Sequence, residues 1–168
     1  MKNQEGFSLI ELLIVVVIIG IIAAIAIPNL LASRRSANEG SAISSMRTYH
    51  GAQMTYQSTV GAGNYAGAVS TSTQALTDLG SANLIDSVLA SATKSGYQFY
   101  GAKLDSSAGT PAQFAGYAAP VTNSGVTATG TREFGILTEG VIYFTTSPTT
   151  LSITGNPLVF NNGSPLNN

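Results

Sequence analysis

The residue best placed to do chemistry in this sequence is a glutamate inside an apolar segment. Glu11 is the one charged residue among the 21 residues from Phe7 to Ile27. A charged side chain at the middle of a membrane-spanning helix costs roughly 2.5–3.5 kcal/mol on insertion scales, and somewhat less near an end. Glu11 therefore needs a cationic partner.

The apolar segment itself supplies no such partner. No Lys, Arg or His occurs between Phe7 and Arg34. A free α-amine produced by cutting the chain just before Phe7 would lie four residues from Glu11, which is about 6 Å along one helix. The same amine could instead meet Glu11 of a neighbouring helix. The sequence thus indicates a carboxylate whose counter-ion is made by proteolysis.

Other residues that could do chemistry are isolated. The chain has no cysteine, which excludes disulfides, thiol nucleophiles and Cys-based zinc sites. His50 has no cysteine and few carboxylates near it in sequence, so we interpret it as a packing or solvated residue. The later carboxylates are scattered singly: Asp78, Asp86, Asp105, Glu133 and Glu139. Paired-carboxylate catalysis therefore has no support, and a calcium site in residues 154–168 would lack a carboxylate. We predict no enzymatic activity, cofactor or metal.

Charge is too sparse for nucleic-acid binding as the main activity. Lys and Arg number 7, Asp and Glu number 8, and the formal net charge is −1. A groove that neutralises phosphates needs clustered cations, whereas only Arg34 and Arg35 are adjacent. Nucleic acid is predicted to be at most an indirect partner, through patches repeated over many copies.

The element that carries Glu11 is long enough to cross a bilayer. As a helix, residues 7–27 would measure about 31 Å, roughly the hydrocarbon thickness. A secretory signal peptide is disfavoured because this run exceeds the usual apolar region and contains a carboxylate. A plain membrane anchor has the right length but leaves Glu11 unexplained. A buried core helix would need more covering segments than the later sequence offers.

The first eleven residues add a specific motif. The short charged leader MKNQEG ends in Gly6 and is followed by Phe7-Ser8-Leu9-Ile10-Glu11 and the apolar run. This arrangement resembles the class III prepilin signal of type IV pilins and type II secretion pseudopilins. The resemblance implies that a membrane peptidase cuts after Gly6 and N-methylates Phe7. It also implies that Glu11 neutralises the amine of a neighbouring subunit during assembly.

The resemblance further assigns Gly20 and Pro28 as the residues that loosen the helix. Pro28 lacks an amide hydrogen and Gly20 weakens the same stretch, so the helix can kink or melt there. The family orientation places the N-terminus inside. The positive-inside rule alone would place it outside, because Arg34 and Arg35 follow the span and only Lys2 and the initiator amine precede it. We follow the motif.

Beyond Pro28 the sequence predicts an amphipathic helix over residues 29–60. Its apolar stripe recurs at spacings of three and four residues: Ala42, Met46, Tyr49, Gln53 and Tyr56, with Ile43, His50 and Met54 beside them. The charged residues are predicted on other faces: Arg34, Arg35, Glu39 and Arg47. Tyr49 and Tyr56 are interpreted as core contacts. Gly61 is predicted to cap the helix at its C-terminus.

Residues 61–168 predict a small head with short helices and a sheet. Helical patterns cover Thr73–Leu79 and Leu84–Ala90, and strand patterns cover Tyr97–Leu104, Gln113–Val121, Arg132–Leu137, Val141–Thr146 and, more weakly, Thr150–Ile153. The predicted fold is α+β: a long N-terminal helix, transmembrane in its first half and amphipathic in its second, packed on a small antiparallel sheet. This order of elements is also that of pilin heads. The predicted divisions are a leader (1–6), an apolar helix (7–28), an amphipathic helix (29–60) and a head (61–168).

The resemblance implies a structural subunit of a type IV pilus, with roles such as adhesion, twitching motility or DNA uptake. Implied partners are further copies in a helical homopolymer, the prepilin peptidase, an inner-membrane assembly platform with an ATPase, and the lipid bilayer before assembly. The precursor would cross the inner membrane once, and the assembled form would be a surface pilus. Two alternatives stay open: a pseudopilin in a periplasmic type II secretion filament, and a bitopic membrane protein with a periplasmic binding head.

Overall fold

The structure is a computed structural model that describes residues 6–146, 153–155 and 157–166. Its helices are α1 (Leu9–Thr59), α2 (Gln74–Ser81) and α3 (Ser87–Ala90). Its strands are β1 (Thr93–Lys94), β2 (Tyr97–Leu104), β3 (Gln113–Pro120), β4 (Arg132–Leu137), β5 (Ile142–Thr146), β6 (Ile153–Thr154), β7 (Val159–Phe160) and β8 (Ser164–Pro165). The chain divides into two compact units, Met1–Arg34 and Arg35–Asn168, and α1 contributes residues to both.

The described part of the first unit is residues 6–8 and the beginning of α1. Leu and Ala favour a helix and the β-branched Ile and Val are tolerated there, so this apolar sequence can form a helix without tertiary contacts. Gly20 and Pro28 both lie inside α1. Since glycine and proline each weaken a helix interior, the loosening predicted at these two residues stays a prediction for other states of the chain.

The second unit is an antiparallel sheet packed against the remainder of α1. Six strands pair in the order β1-β2-β3-β4-β5-β8, and β6 and β7 form a separate two-stranded ribbon. The pairing of β2 with β3 runs from Tyr97 opposite Pro120 to Leu104 opposite Gln113. The predicted α+β architecture, with a long N-terminal helix and an antiparallel sheet, is confirmed.

Tyr49 of α1 fits into a slot made by two glycines of the sheet. Gly101 on β2 is the direct partner of Gly116 on β3. A methyl group added at either glycine would collide with the Tyr49 ring. The ring is 2% exposed and meets the Phe114 ring edge-on, with 5.9 Å between centroids. Two glycines at one register position therefore determine where α1 seats its largest core side chain.

The predicted stripe on α1 is confirmed at its centre. Ala42, Met46, Tyr49 and Gln53 are all buried, and Tyr56 is partly buried against the same core. The stripe is wider than predicted on one side. Glu39 was placed on another face, but this prediction is wrong: the residue is only 6% exposed, since Thr131 and Arg132 satisfy its carboxylate.

The C-terminal end of α1 also differs from prediction. The helix ends at Thr59, and the residues with positive φ after it are Ala62 (48°) and Gly63 (92°), rather than Gly61. Gly61 instead donates its N–H to the carbonyl of Tyr56 at 2.8 Å. It must be small for a different reason, because an added methyl group would strike the carbonyl oxygen of Asn64.

Predictions for the head hold for the longer elements. β2 and β4 have the predicted bounds, β3 ends one residue earlier than predicted and β5 begins one residue later. α2 begins one residue later than the predicted pattern Thr73–Leu79 and ends two residues beyond it, and α3 covers the last four residues of the predicted pattern Leu84–Ala90. Of the weak strand predicted at Thr150–Ile153, residues 150–152 lie outside the described residues, and Ile153 begins β6. The strands β1, β7 and β8 were not predicted.

Candidate functional site

The candidate site is the N-terminal end of α1, where Glu11 turns back toward the start of the helix. Its Oε2 accepts a hydrogen bond from the backbone N–H of Ser8 at 2.9 Å. Leu12 donates its own N–H to the carbonyl of Ser8 at 3.3 Å. A glutamate that accepts from the N–H of the residue three positions earlier is half of a capping box. The carboxylate thus stabilises the first turn of the helix.

Sequence reasoning missed this capping contact although a local signal was present. The residues Ser8-Leu9-Ile10-Glu11 match the pattern of a serine followed three residues later by glutamate, ahead of an apolar run. The contact has a chemical consequence, because it holds the Glu11 carboxylate on the backbone N–H of Ser8, the residue that follows Phe7. The Phe7 nitrogen is the atom that would become an amine if the chain were cut before Phe7.

The proposed cut lies in an accessible part of the chain. Gly6 is exposed and Phe7 is 88% exposed. A methyl group added at Gly6 would meet no atom within 4 Å. Among the described residues, therefore, no packing contact requires glycine at position 6, and a requirement for it would come from outside the chain.

The apolar residues after Phe7 find no cover in the described structure. The large apolar side chains are each more than half exposed: Leu9, Ile10, Leu12, Leu13, Ile14, Val15, Val16, Val17, Ile18, Ile19, Ile21, Ile22, Ile25, Ile27 and Leu30. By length and composition α1 could cross a membrane, since its most apolar stretch has a mean hydropathy of 3.2 and none of it is buried. So much exposed apolar surface demands lipid or protein around it.

Neither of the predicted helix-loosening residues has a packing role in the described chain. A methyl group at Gly20 would meet nothing within 4 Å, and Pro28 is exposed within α1. No other described segment therefore comes close enough to Gly20 to require a glycine there. The local weakening of the helix at Gly20 stays a prediction from the sequence.

Within the second unit, α1 is attached to the sheet by an ion pair between Glu39 and Arg132. The Glu39 carboxylate accepts from the N–H and the hydroxyl of Thr131, both at 2.9 Å, and from the Arg132 guanidinium at 2.9 and 2.7 Å. Burial raises the pKa of Glu39, but the hydrogen bonds from Thr131 and Arg132 outweigh that effect and lower it below its ordinary value. Glu39 is therefore an ionised anchor between α1 and the start of β4.

A second anchor uses neutral groups. The Gln53 amide nitrogen donates to the Tyr49 hydroxyl at 2.8 Å and to the Ala66 carbonyl at 3.1 Å, while its oxygen accepts from the Ala66 N–H at 2.9 Å. Burial raises the pKa of the Tyr49 hydroxyl, so this hydroxyl stays protonated. The amide thus fixes the chain just after α1 against the helix.

His50 is a packing residue, as predicted. Its ring lies 5.4 Å from the Phe114 ring, and its Nε2 is 3.1 Å from the Thr138 carbonyl. In the part of the chain that the structure describes, no three His, Asp or Glu side chains come together as a metal site. The described residues therefore form capping and packing contacts rather than a catalytic constellation.

Comparison with known proteins places a recognised motif over the candidate site. Residues 1–27 match the family model described as the prokaryotic N-terminal methylation motif. The match covers Gly6, Phe7 and Glu11. It ends at the last residue of the apolar run.

Curated relatives are similar over short stretches of the chain. The chain is 64% identical over 39 residues, 23% of its length and 30% of the relative's, to the type IV wide pilus major component PilA4 of Thermus thermophilus. It is 33% identical over 57 residues, 34% of its length and 41% of the relative's, to the type II secretion system core protein G of Klebsiella pneumoniae. It is 76% identical over 29 residues, 17% and 19% of the two lengths, to the fimbrial protein of Pseudomonas aeruginosa.

These matches span less than half the length of the curated relatives. No solved structure matches the chain. The proteins that match are pilins and secretion-system components, which are structural proteins rather than enzymes. Through its first 27 residues the chain carries the prokaryotic N-terminal methylation motif, and the predicted resemblance to type IV pilins and type II secretion pseudopilins is confirmed.

Proposed function

We propose that this chain is the subunit of a type IV pilus, made as a membrane-inserted precursor and polymerised through α1. The observation that carries the proposal is the uncovered apolar half of α1, with Glu11 in its first turn and the methylation motif over it. In a filament, the apolar side chains of one subunit would be covered by those of its neighbours. In the precursor, lipid covers them.

Processing would occur at the exposed start of the chain. A prepilin peptidase cuts after Gly6, releases the leader and methylates the new amine on Phe7. The empty space around Gly6 supports a requirement set by the peptidase, because the folded chain itself would accommodate a larger residue there. The exposed Phe7 supports access to the same bond.

Cleavage would change the charge balance around Glu11. Before the cut, its carboxylate accepts only a neutral amide N–H from Ser8 among the described groups. After the cut, the amine on Phe7 supplies a cation either to the same helix or to a neighbouring one. An unpaired carboxylate in a low-dielectric bundle is costly. Pairing between subunits would therefore set their axial register.

Assembly would need an external energy source. Lipid tails are as apolar as the side chains of α1, so moving the helix from lipid into a bundle gains no hydrophobic free energy. Packing and the Glu11 ion pair then supply the favourable terms. This balance supports an ATPase-driven platform in the inner membrane that extracts each subunit. Weakening of the helix at Gly20 and Pro28 would ease that step.

A pseudopilin of type II secretion is the second candidate. It is favoured by the similarity to core protein G, which extends over 57 residues and so beyond the apolar segment. The pilus is preferred because the similarity to the pilus component PilA4 has the higher identity. The bitopic alternative would need Glu11 to lie in the bilayer without an amine partner.

Fractionation separates these candidates. Cells are sheared, and the released fibres are imaged with antibody against residues 61–168. A pilus subunit is expected along surface fibres, and a deletion strain should lack them. Antigen confined to the periplasm would favour the pseudopilin. Antigen confined to the inner membrane, with no fibre in either location, would contradict the filament proposal.

A further inference from the structure

Two tyrosines stack across neighbouring strands of the sheet in the second unit. Tyr100 on β2 is the direct partner of Tyr117 on β3. The adjacent glycines, Gly101 and Gly116, face the Tyr49 ring. Because side chains alternate between the two faces along a strand, the two tyrosines lie on the face of the sheet opposite Tyr49. Both are half-buried, so an oxidant in solution can reach them.

The rings of Tyr100 and Tyr117 are in direct contact. Their centroids are 5.0 Å apart and their planes differ by 15°, which is an offset-stacked arrangement. Carbons of one ring therefore meet carbons of the other in van der Waals contact. Since both side chains are phenols, both rings carry the ortho carbons through which phenoxyl radicals couple.

This pairing of two phenols distinguishes Tyr100 and Tyr117 from the other tyrosines. In the described part of the chain, the remaining ring contacts of tyrosines are with phenylalanine: Tyr49 and Tyr65 with Phe114, Tyr97 with Phe134, and Tyr143 with Phe160. A phenylalanine has no hydroxyl hydrogen to lose and forms no phenoxyl radical. Those contacts therefore cannot couple in the same way.

A bond between Tyr100 and Tyr117 would do for this chain what a disulfide does for others. The chain has no cysteine and can form no disulfide. A carbon–carbon bond between the two rings would close a loop through residues 101–116, and such a loop stabilises a fold by restricting the unfolded chain. The bond would also fix the register of β2 on β3, because it joins residues that are direct partners.

The coupling balances with hydrogen peroxide as the oxidant. Each phenol gives up one electron and its hydroxyl proton and becomes a phenoxyl radical. The two radicals form one bond between ortho carbons, and the two ortho hydrogens move as protons to the oxygens, which restores both phenols. A haem peroxidase passes the two electrons to the peroxide. In total, two tyrosines and one hydrogen peroxide give one dityrosine and two water molecules.

We propose that Tyr100 and Tyr117 are a modification site, at which a haem peroxidase and hydrogen peroxide form a dityrosine that joins β2 to β3. The site consists of residues of the second unit alone. It does not depend on membrane insertion or on polymerisation through α1, so it can fail or succeed separately from the proposed function.

Tryptic peptides make the test direct. Trypsin cuts after Lys94, Lys103 and Arg132, which places Tyr100 in the peptide 95–103 and Tyr117 in the peptide 104–132. The full chain in detergent is treated with hydrogen peroxide and a haem peroxidase at low protein concentration and is then digested. The expected product is a linked pair of these two peptides, lighter than their sum by two hydrogen atoms and carrying dityrosine fluorescence.

Two variants and a matched control show which rings are joined. Tyr100→Phe and Tyr117→Phe each keep a ring in the stack and remove one phenol, so the linked pair should fall to the level of the untreated chain. Tyr143→Phe is the control, because Tyr143 is also half-buried but contacts Phe160 rather than a tyrosine. Its yield of the linked pair should equal that of wild type.

The linked chain should also be more stable. Its midpoint of thermal unfolding is expected to lie roughly 5–10 °C above that of Tyr100→Phe treated in the same way. A treated wild-type chain without the linked pair, or a linked pair that persists in Tyr100→Phe, would overturn the site. Linked peptides that disappear on dilution would assign the coupling to separate chains and overturn it as well. An unchanged midpoint in the linked chain would overturn the role of the bond in holding β2 to β3.

Discussion

Replacing Glu39 by glutamine should destabilise the head through loss of one buried charge. The carboxylate is 6% exposed and receives four contacts of 2.7–2.9 Å from Thr131 and Arg132. Breaking a fully buried pair costs about 3–5 kcal/mol. The Arg132 side chain is 37% exposed, so water can resolvate it, and we expect a loss of about 2 kcal/mol for Glu39→Gln.

The measurement is thermal and urea unfolding of the full chain in detergent, followed by near-ultraviolet circular dichroism of the buried tyrosines. A loss of about 2 kcal/mol in a unit of this size lowers the midpoint by roughly 5–10 °C. Glu139→Gln is the matched control, because Glu139 is exposed and its hydrogen bond from Tyr143 is long, at 3.4 Å. That control should stay within about 0.5 kcal/mol of wild type.

The ion pair between Glu39 and Arg132 should make the stability of the head depend on pH. The folded pKa of Glu39 lies below its ordinary value of 4.5, so the unfolded chain takes up the proton first as pH falls. The stabilisation is therefore complete above pH 4.5 and is lost as pH falls through the folded pKa. The gap between wild type and Glu39→Gln should be full at pH 7 and should shrink below pH 4.5. Equal stability of the two chains at pH 7, or a stability difference that stays constant into strong acid, would refute an ionised Glu39 paired with Arg132.

Four further substitutions, the last of them a control, test other features of the chain. Glu11→Ala should insert and be cleaved but give far fewer filaments, since the amine would have no carboxylate; filament yield equal to wild type in a shearing assay would contradict the register role. Gly6→Ala should leave the leader attached, because the requirement lies in the peptidase; a gel showing normal processing would reject Gly6 as the cut site. Gly116→Ala should cost about 1–3 kcal/mol, since its methyl group collides with Tyr49. Gly40→Ala, where nothing lies within 4 Å, should gain about 0.5–1 kcal/mol, and the same sign of change in both glycine variants would argue against the slot.

The sequence was sufficient for those features that are encoded locally. The apolar run from Phe7 is continuous, the stripe around Tyr49 repeats at helical spacing, and the longer strands carry aromatic and β-branched residues. In each case a short window contains the whole signal. The capping contact between Ser8 and Glu11 was equally local and could have been predicted from its spacing.

Features that depend on distant residues could not be predicted in the same way. The burial of Glu39 depends on Thr131 and Arg132, more than ninety positions away. The slot for Tyr49 depends on strand register, which a single glycine does not reveal. The short strand β8 forms because Ser164 and Pro165 pair with β5, and two residues carry too little pattern to predict that. The four-part division of the chain, with the roles of Gly6, Phe7, Gly20 and Pro28, stays a prediction.

The most direct test of the central claim is the mass of the N-terminal peptide from purified filaments. The account predicts that the mature chain begins at Phe7 and carries one methyl group on its amine, so that a cation stands opposite the Glu11 carboxylate. A chain that begins at Met1 and keeps its leader, or one that has lost residues 7–27, would contradict it.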